Sequence, residues 1–375
     1  MRTLLLALLP LMSACSPAYE VLYVGTYTGE TSVSEGIYRY VLHASGRLES
    51  LGLAAAASNP SFLALSPDGR TILAVDEDEA GSVLSFRLDD GALDPAEHTL
   101  TPVSTSTSGG AHPCHLAVDA VGRVLVANYT GGNVGALRLG AGGELSGLRD
   151  TLAHDGEAGE VAHAHSVYFD GKAPRAYAVD LGTGDLFFMD LADRADRIVR
   201  PGTPPALALD SAAGPRHMAF HPNGLYAYVV NEYANTVTLL ARETPGGASL
   251  ARSSGFAKRA SYRTLPEGFA GESFASHVAL SRDGRFLYAA NRGANTVAAF
   301  AVDEVAGGLT LVDQEPVRGD WPRHFALSGS GDFLVVANQR SGSLAVLRRD
   351  RDEGTLTYVG GMAAPTPACV LAVGR

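Results

Sequence analysis

The segment GPRHMAFHPNGLYAYVVNE, residues 214–232, carries charged side chains at both ends of what reads as a pair of buried strands. Arg216 precedes a Pro-Asn-Gly turn at residues 222–224, and Glu232 follows that turn at a roughly matching distance. In a hairpin closed at this turn, the start of the first strand and the end of the second lie at the same edge of the sheet. We therefore expect Arg216 and Glu232 to meet. A carboxylate beside a guanidinium could combine proton transfer with stabilisation of a developing negative charge.

Other charged and imidazole side chains stand at comparable places along the chain. Arg292 ends another strand-like run, Arg323 begins one, and His115 and His165 also lie at the starts of apolar runs. If these runs are arranged around a common axis, strand ends from distant segments converge at one mouth. We expect these groups to gather on that rim.

A repeating unit explains how such distant residues could be positioned. Each unit has an apolar strand, a Gly-containing turn, a second strand that ends in Asp, Asn or Thr, and a third strand with a Gly-x-Leu turn; residues 59–78 and 321–340 show the similarity. A period of about 50 residues built from short strands is typical of propeller blades. The residues that end the second strands are Thr26, Asp76, Asn128, Asp180, Asn231, Asn291 and Asn338. The sequence therefore predicts an all-β, seven-bladed β-propeller.

The two ends of the chain complement each other. The first unit, EVLYVGTYTGETSVSEGIYRYVL, begins directly with its second strand, whereas the chain ends with an orphan strand in PTPACVLAVGR. Pairing that last strand with the N-terminal blade closes the ring and removes an open sheet edge. We predict that residues 19–375 form one domain closed in this way.

The repeats also offer a structural explanation for some of these residues. Aligning the units places one residue of each at an equivalent position: Phe62, His115, His165, His217, His277, His324 and Cys369. A histidine at a repeated position could form a structural hydrogen bond between blades instead of acting on a ligand. Arg216, Glu232 and Arg292 do not recur in every blade, so repetition does not explain them, although a structural ion pair stays open.

The first fifteen residues, MRTLLLALLPLMSAC, resemble a secretory signal. One Arg precedes an apolar run, and small residues lead to Cys15. The sequence Met-Ser-Ala-Cys at residues 12–15 resembles a bacterial lipobox, in which the Cys is lipidated; ordinary cleavage without a lipid is the alternative. We predict an exported protein that is periplasmic or anchored to a membrane through Cys15.

Composition argues against several classes of function. The net charge of −11, without any compensating Lys/Arg run, would repel a phosphate backbone, so nucleic acid is not an expected partner. The chain has no GxSxG nucleophile elbow, P-loop or dinucleotide fingerprint, and we predict no cofactor. One Trp and 7% aromatic residues give little support to a broad aromatic binding rim, and no obligate protein partner is evident.

The remaining His and Cys residues do not form a recognisable metal or disulfide pattern. His163 and His165 would face the same side of a regular strand, but zinc or iron needs further ligands and supporting hydrogen bonds. We predict no metal site. Cys114 and Cys369 belong to the third and first units, so we expect no disulfide between them and interpret both as small buried side chains.

Several stretches resemble a known family, the bacterial 6-phosphogluconolactonase-like lactonases, which are seven-bladed propellers and include the fungal 3-carboxy-cis,cis-muconate lactonizing enzymes. The resemblance covers nearly all of the chain after the signal, from LYVGTYT and SEGIYRY to PRHFALSGSGDFLVVANQ. Its most specific parts are HAHSVYFD with AVDLGTGDLFFMDL, then GPRHMAFHPNGLYAYVVNE, and LYAANRGANTVAAF.

The resemblance implies chemistry at a lactone. The active-site residues proposed for the family fall on His165, Arg216, Glu232 and Arg292. Hydrolysis needs a base that activates water, for which His165 or Glu232 would serve. It also needs a positive group beside the oxyanion, for which Arg216 or Arg292 would serve.

The sequence leaves several alternatives open for the substrate and for the residues that bind it. His115, His217 and Arg323 are the candidate substrate-binding residues, and an additional Arg could hold a carboxylate or phosphate through a two-pronged contact. An exported enzyme would rarely meet a sugar phosphate, so an unphosphorylated aldonolactone fits the compartment better than 6-phosphogluconolactone. The same groups could instead close or open a muconolactone ring, and a non-catalytic binding propeller is a third alternative.

Overall fold

The computed structural model describes residues 19–29, 32–89, 99–154, 160–192, 197–243 and 255–373. The predicted signal at residues 1–15, with Cys15, lies outside these ranges, as do residues 374 and 375. Within them, 28 strands form seven four-stranded antiparallel sheets, which we number as blades 1 to 7. A 3-10 turn occupies Ser211–Ala213, and no helix in the described ranges has the length and apolar character needed to cross a bilayer.

The first four blades contain strands β1 to β15 together with the last strand, β28. Blade 1 consists of β28 (Pro367–Val373), β1 (Tyr19–Thr26), β2 (Gly36–His43) and β3 (Leu48–Ala56). Blade 2 consists of β4 (Leu63–Leu65), β5 (Thr71–Asp76), β6 (Ser82–Asp89) and β7 (Thr99–Thr107). Blade 3 consists of β8 (Pro113–Val118), β9 (Arg123–Asn128), β10 (Asn133–Arg138) and β11 (Asp150–Ala153). Blade 4 consists of β12 (Ala164–Phe169), β13 (Arg175–Asp180), β14 (Asp185–Leu191) and β15 (Val199–Ala208).

The last three blades follow the same order from the innermost to the outermost strand. Blade 5 consists of β16 (Pro215–Phe220), β17 (Tyr226–Asn231), β18 (Thr236–Glu243) and β19 (Gly255–Arg263). Blade 6 consists of β20 (Phe274–Leu280), β21 (Phe286–Arg292), β22 (Thr296–Val302) and β23 (Leu309–Pro316). Blade 7 consists of β24 (Pro322–Leu327), β25 (Phe333–Asn338), β26 (Ser343–Arg349) and β27 (Leu356–Ala363).

The innermost strands contact one another in a closed cycle. β4 contacts β8, β8 contacts β12, and the series continues through β16, β20 and β24 to β28, which contacts β4. β28 also pairs antiparallel with β1, with Val21 opposite Val373 and Gly25 opposite Cys369. The structure therefore confirms a seven-bladed propeller whose C-terminal strand completes the N-terminal blade.

The hydrophobic core lies between neighbouring blades. The second strand of a blade, such as β25 with the sequence FLVVAN, is buried along its length because adjacent blades cover both of its faces. Between blades 5 and 6, for example, Tyr228 and Leu239 pack with Leu287 and Phe300. After its first residue, the outermost strand β27 instead alternates between exposed and half-buried residues, as expected for a strand with one face in solvent.

A register shift near the start of the innermost strands directs the side chains of the site. In blade 5 the shift falls between Pro215 and His217, so Arg216 is the extra residue of a bulge. A bulge points a side chain in a direction that a regular strand would not give it. The corresponding extra residues in blades 3, 4 and 7 are Cys114, His165 and Arg323.

The sequence-based placement of His165 is wrong by one residue. Aligning the units by residue type put His165 level with His115 and His217. The bulge in β12 puts His165 level with Arg216, and Ser166 level with His217. The imidazole of His165 therefore belongs to the layer of bulge residues and not to the repeated histidine layer.

The turn between β16 and β17 sets the spacing of the two charged ends of blade 5. Gly224 has φ +75°, a conformation that glycine adopts without steric penalty. Its amide donates to the carbonyl of His221 at 2.9 Å. This short turn brings the residues that flank β16 and β17 back to the same edge of the blade.

Candidate active site

A carboxylate between two guanidinium groups forms the centre of the candidate site. Glu232 directly follows β17, and its Oε2 lies 2.9 Å from Nε of Arg216 and 2.8 Å from Nη2 of Arg292. The hairpin brings Arg216 and Glu232 together as expected from the sequence, and blade 6 adds Arg292. Both contacts fall on Oε2, and the side chain of Glu232 retains 15% of its exposure. The carboxylate is thus held firmly and is still reachable from the mouth.

Arg216 is the more deeply buried of the two guanidinium groups, with a side-chain exposure of 2%. Its Nη1 donates to the carbonyl of Ser276 in blade 6 and lies 3.3 Å from Nε2 of His217. Burial lowers the pKa of Arg216 to about 9; Arg292 adds to the decrease and Glu232 opposes it. The group is still charged at neutral pH, so a positive charge is fixed where little water reaches it.

Aromatic rings and backbone carbonyls fix the second guanidinium group. Nε and Nη2 of Arg292 each donate at 3.3 Å, to the carbonyls of Phe274 and Ala275. Its Cζ lies 5.8 Å from the ring centre of Phe274 and 5.3 Å from that of Trp321. Cation–π contacts at these distances restrict the guanidinium without neutralising it. Burial lowers the pKa of Arg292, while the Glu232 carboxylate acts in the opposite direction.

A small recess opens beside Arg216, one of the two partners of Glu232. Arg216 and His217 line one part of it, and Arg323 and Ser61 line another. These residues come from blades 5, 7 and 2, so the recess lies on the propeller axis where inner strands converge. It is where we place a small ligand.

His165 lies beside the recess as a buried imidazole, with an exposure of 6%. Its Nδ1 is 4.0 Å from Sγ of Cys114, and its ring makes edge contacts with Tyr129 at 5.6 Å and His217 at 5.3 Å. Burial, followed by the charges of Arg216 and Arg323, lowers the pKa of His165 well below its usual value. The imidazole is therefore neutral at physiological pH.

A layer of aromatic and imidazole rings lies beneath the bulge residues. His115 packs against Phe62 at 4.0 Å between ring centres, and His277 packs against His324 at 3.9 Å. Because Arg216 can only donate, Nε2 of His217 accepts, and its Nδ1–H can donate to Nδ1 of His277 at 2.8 Å. This layer supports the floor of the recess.

The predicted substrate-binding residues separate into two groups. His217 and Arg323 line the recess, whereas His115 is buried against Phe62 and is not one of its lining residues. Burial lowers the pKa of every histidine in this layer, that of His324 to about 3. His115 is thus placed as a supporting residue of the floor.

Sequence reasoning missed a second group of polar side chains at the mouth. Nη2 of Arg323 donates to the hydroxyl of Tyr27 at 2.6 Å, and that hydroxyl donates to Oε2 of Glu77 at 2.8 Å. Ser61 also donates to Oε2 of Glu77. A signal was present in the repeat, because Glu77 follows the end of its second strand just as Glu232 does.

The other predicted His and Cys features have simple structural roles. His163 precedes β12, and its ring stacks on Tyr129 at 4.5 Å. Among the residues that the structure describes, no group of three or more His, Cys, Asp or Glu side chains is arranged to hold a metal ion. Cys114 and Cys369 are free and buried, which confirms their interpretation as small buried side chains. Burial raises the pKa of both thiols, that of Cys369 to about 12.

This arrangement suits a substrate that is or becomes negatively charged. Arg216 and Arg292 share one carboxylate, so this pair of guanidinium groups leaves a net positive charge beside the recess, whereas Arg323 is linked to a second acid through Tyr27. Fixed guanidinium groups in a poorly hydrated site stabilise an oxyanion much better than mobile surface charges do. Glu232 adds a proton acceptor within the same cluster.

Comparison with known proteins gives a consistent result. A family model described as "Lactonase, 7-bladed beta-propeller" matches residues 21–372. A 6-phosphogluconolactonase of Bacillus subtilis is 32% identical over 308 residues, which cover 80% of this chain and 83% of the relative.

Solved structures agree over an even larger part of the chain. The periplasmic gluconolactonase of Pseudomonas aeruginosa superposes with a TM-score of 0.85 and 30% identity, covering 95% of this chain and 99% of the other. A putative 6-phosphogluconolactonase of Bacteroides fragilis superposes with a TM-score of 0.82 and 28% identity, covering 95% and 98%.

Proposed function

Because the chain belongs to the seven-bladed β-propeller lactonase family, we propose that it is a hydrolase that opens the ring of a sugar lactone at the recess on the propeller axis. The observation that carries this proposal is the position of Glu232 between Arg216 and Arg292. Lactone hydrolysis requires a proton acceptor for water and positive charge for the carbonyl oxygen, and this cluster supplies both.

Proton transfer to Glu232 would keep the charge of the cluster constant during the reaction. As water attacks the lactone carbonyl, a water proton passes to the Glu232 carboxylate and negative charge develops on the carbonyl oxygen. Arg216 and Arg292 therefore face one negative charge throughout. It lies first on the Glu232 carboxylate and then on the oxyanion, because Glu232 becomes neutral as the oxyanion forms. Collapse of the intermediate breaks the ring C–O bond, and the proton passes from Glu232 to the departing ring oxygen. The product is the open-chain hydroxy acid.

We assign His165 a hydrogen-bonding role. Its pKa is well below the usual value because of burial and because Arg216 and Arg323 lie close to it. Protonating this imidazole would add a further positive charge to a cluster that already holds three guanidinium groups. Glu232 is therefore the better proton acceptor, while neutral His165 can orient water or a substrate hydroxyl.

The proposed substrate is an unphosphorylated aldonolactone. One relative is named a 6-phosphogluconolactonase and a structural neighbour is called a periplasmic gluconolactonase, so the names of related proteins include both a phosphorylated and an unphosphorylated lactone. The signal predicted at residues 1–15 would take this chain away from sugar phosphates made inside the cell. Lipidation at Cys15 would keep the enzyme at a membrane surface.

The activity can be tested by titrating the acid released at constant pH. The substrates are glucono-δ-lactone, 6-phosphogluconolactone and a muconolactone, each corrected for spontaneous hydrolysis. We expect faster release with glucono-δ-lactone than with 6-phosphogluconolactone, and a loss of about 100-fold in kcat/KM in Arg216→Met, which removes an oxyanion donor. Arg200→Met is the matched control because the Arg200 side chain is 62% exposed on the outermost strand of blade 4.

Three outcomes would contradict parts of the proposal. Full activity in Arg216→Met would remove this residue from the mechanism. Turnover restricted to the muconolactone would indicate an enzyme that closes or opens that ring instead. Absence of acid release above background with all three substrates would reject lactone hydrolysis.

A further inference from the structure

Two acidic residues occupy corresponding places on opposite sides of the mouth. Glu232 follows the second strand of blade 5, and Glu77 follows the second strand of blade 2. Glu232 binds Arg216 directly, whereas Glu77 is linked to Arg323 through the hydroxyl of Tyr27. The mouth therefore has a second acid–guanidinium group, built from blades 1, 2 and 7.

The side chains of this second group are hydrogen-bonded to one another. Tyr27 accepts from Nη2 of Arg323 at 2.6 Å and donates its only hydroxyl proton to Oε2 of Glu77 at 2.8 Å. Ser61 donates to the same carboxylate oxygen. Burial raises the pKa of Tyr27, so its hydroxyl stays neutral. One guanidinium and one carboxylate therefore balance each other, and this half of the mouth carries no net charge.

Both halves of the mouth face the same recess. Arg216 and His217 line it from blade 5, while Arg323 and Ser61 line it from blades 7 and 2. A sugar lactone whose carbonyl oxygen lies at Arg216 would have Arg323 and Ser61 on the other side of the recess. The second group therefore meets the part of the substrate that carries hydroxyls or, in a phosphorylated sugar, the phosphoryl group.

We infer that Tyr27, Ser61, Glu77 and Arg323 form a subsite that binds sugar hydroxyls and disfavours a phosphoryl group. A hydroxyl can donate to the Glu77 carboxylate and accept from Arg323, so it satisfies both groups. A phosphate monoester carries about −1.5 to −2 charges at neutral pH and mainly accepts hydrogen bonds. Beside Glu77 it would meet a like charge, and one N–H group of Arg323 is already bound to Tyr27. This inference rests on the proposed function and specifies its substrate class.

The experiment compares the binding of two hydroxy acids that differ only at the terminal carbon, gluconate and 6-phosphogluconate. Isothermal titration calorimetry on the full chain gives both dissociation constants without any turnover. We expect the wild-type chain to bind gluconate about tenfold more tightly than 6-phosphogluconate, and Glu77→Gln to remove most of that preference. Tyr27→Phe removes the hydroxyl that accepts from Arg323 and leaves every charge in place. It should also bring the two dissociation constants closer together.

Glu79→Gln is the matched control. Glu79 lies two residues after Glu77 and its side chain is 88% exposed. The substitution removes the same charge and should leave the ratio of the two dissociation constants unchanged. Thermal melts establish that each variant is folded; if Glu77→Gln is unfolded, Tyr27→Phe decides the question.

The inference and the proposed function can fail separately. Three results would overturn the subsite. The wild-type chain could bind 6-phosphogluconate as tightly as gluconate or more tightly, or it could bind neither acid. The third result is an unchanged ratio of the two dissociation constants in folded Glu77→Gln. A preference for gluconate that depends on Glu77, in a chain that hydrolyses no lactone, would keep the subsite and reject the hydrolase. Lactone hydrolysis by the wild-type chain, combined with a binding ratio that Glu77→Gln does not alter, would keep the hydrolase and reject the subsite.

Discussion

His165 in blade 4 and Arg216 in blade 5 occupy the same bulge position of neighbouring innermost strands. The fold thus presents one repeated backbone position toward the recess and fills it with different chemistry in each blade. This position holds a thiol in blade 3 (Cys114), an imidazole in blade 4 (His165) and guanidinium groups in blades 5 and 7 (Arg216 and Arg323). The bulges supply these four groups, whereas Glu232 and Arg292 lie at the ends of second strands.

The assignment of the proton acceptor can be tested by comparing two amide substitutions. Glu232→Gln removes the carboxylate and should lower kcat/KM by about 1,000-fold, within the usual range for loss of a general base. His165→Gln keeps a hydrogen-bonding group in place and should cost about tenfold or less. Initial rates of acid release across a pH series measure both effects. A larger loss in His165→Gln than in Glu232→Gln would reverse the assignment.

Charge alone should not replace Arg216. Its Nε contacts Glu232 while its Nη1 donates to the carbonyl of Ser276, and a lysine has one ammonium group that cannot occupy both places. We expect Arg216→Lys to fold and to lose about 100-fold in kcat/KM. Arg200→Lys, on an exposed outer strand, is the control for the substitution itself. Near wild-type activity in Arg216→Lys would mean that only the charge matters.

The buried histidines should make the protein less stable in acid. Burial depresses the pKa of His115, His165, His217, His277 and His324 in the folded chain. In the unfolded chain a histidine titrates near pH 6.5, so below that pH the unfolded state binds more protons than the folded state. The stabilising contribution is therefore fully present above about pH 6.5 and decreases as the pH falls toward the folded pKa, which is about 3 for His324.

This acid sensitivity is measurable for a single site. Each histidine that stays neutral in the folded state contributes about 1.4 kcal/mol per pH unit to the slope of the unfolding free energy. His324→Gln should therefore flatten the slope between pH 6 and pH 4 by about that amount. Denaturant unfolding at several pH values provides the measurement. An identical slope in the variant would show that His324 does not remain neutral in the folded chain.

Intrinsic fluorescence should report occupancy of the recess. The chain has one Trp, Trp321, and its ring centre lies 5.3 Å from Cζ of Arg292 and 3.2 Å from Cζ of Arg340. A bound carboxylate that draws Arg292 away from its present position would alter the surroundings of this ring. We expect a saturable change in emission on addition of gluconate.

Two variants check the origin of that signal. Trp321→Phe should abolish it. Arg216→Met, which lacks an anion-binding group, should require much more gluconate to produce it. A signal of equal strength and midpoint in Arg216→Met would place the bound acid elsewhere.

Much of the architecture could be predicted from the sequence because blades repeat their turns and strand ends. Residues such as Asp76 and Asn338 recur at a regular interval, and the missing strand at one end of the chain matches the extra strand at the other. The meeting of Arg216 with Glu232 followed from simple hairpin geometry. These inferences required only strand periodicity and turn chemistry.

The finer features of the site could not be predicted in this way. A bulge adds one residue to a strand, and alignment by residue type concealed it, which is why His165 was matched to the wrong layer. Tyr27 comes from the first unit, Ser61 and Glu77 come from the second, and Arg323 reaches Tyr27 from the seventh. Only the closed ring brings these side chains together.

Ring closure by β28 also has a temporal consequence. The strand that completes blade 1, Pro367–Val373, follows the other six blades along the sequence, so the ring cannot close until β28 has been made. Until then the recess has no complete wall, because Ala368 and Arg323 lie on the last two innermost strands to be made. We therefore expect ligand binding at the recess to depend on β28.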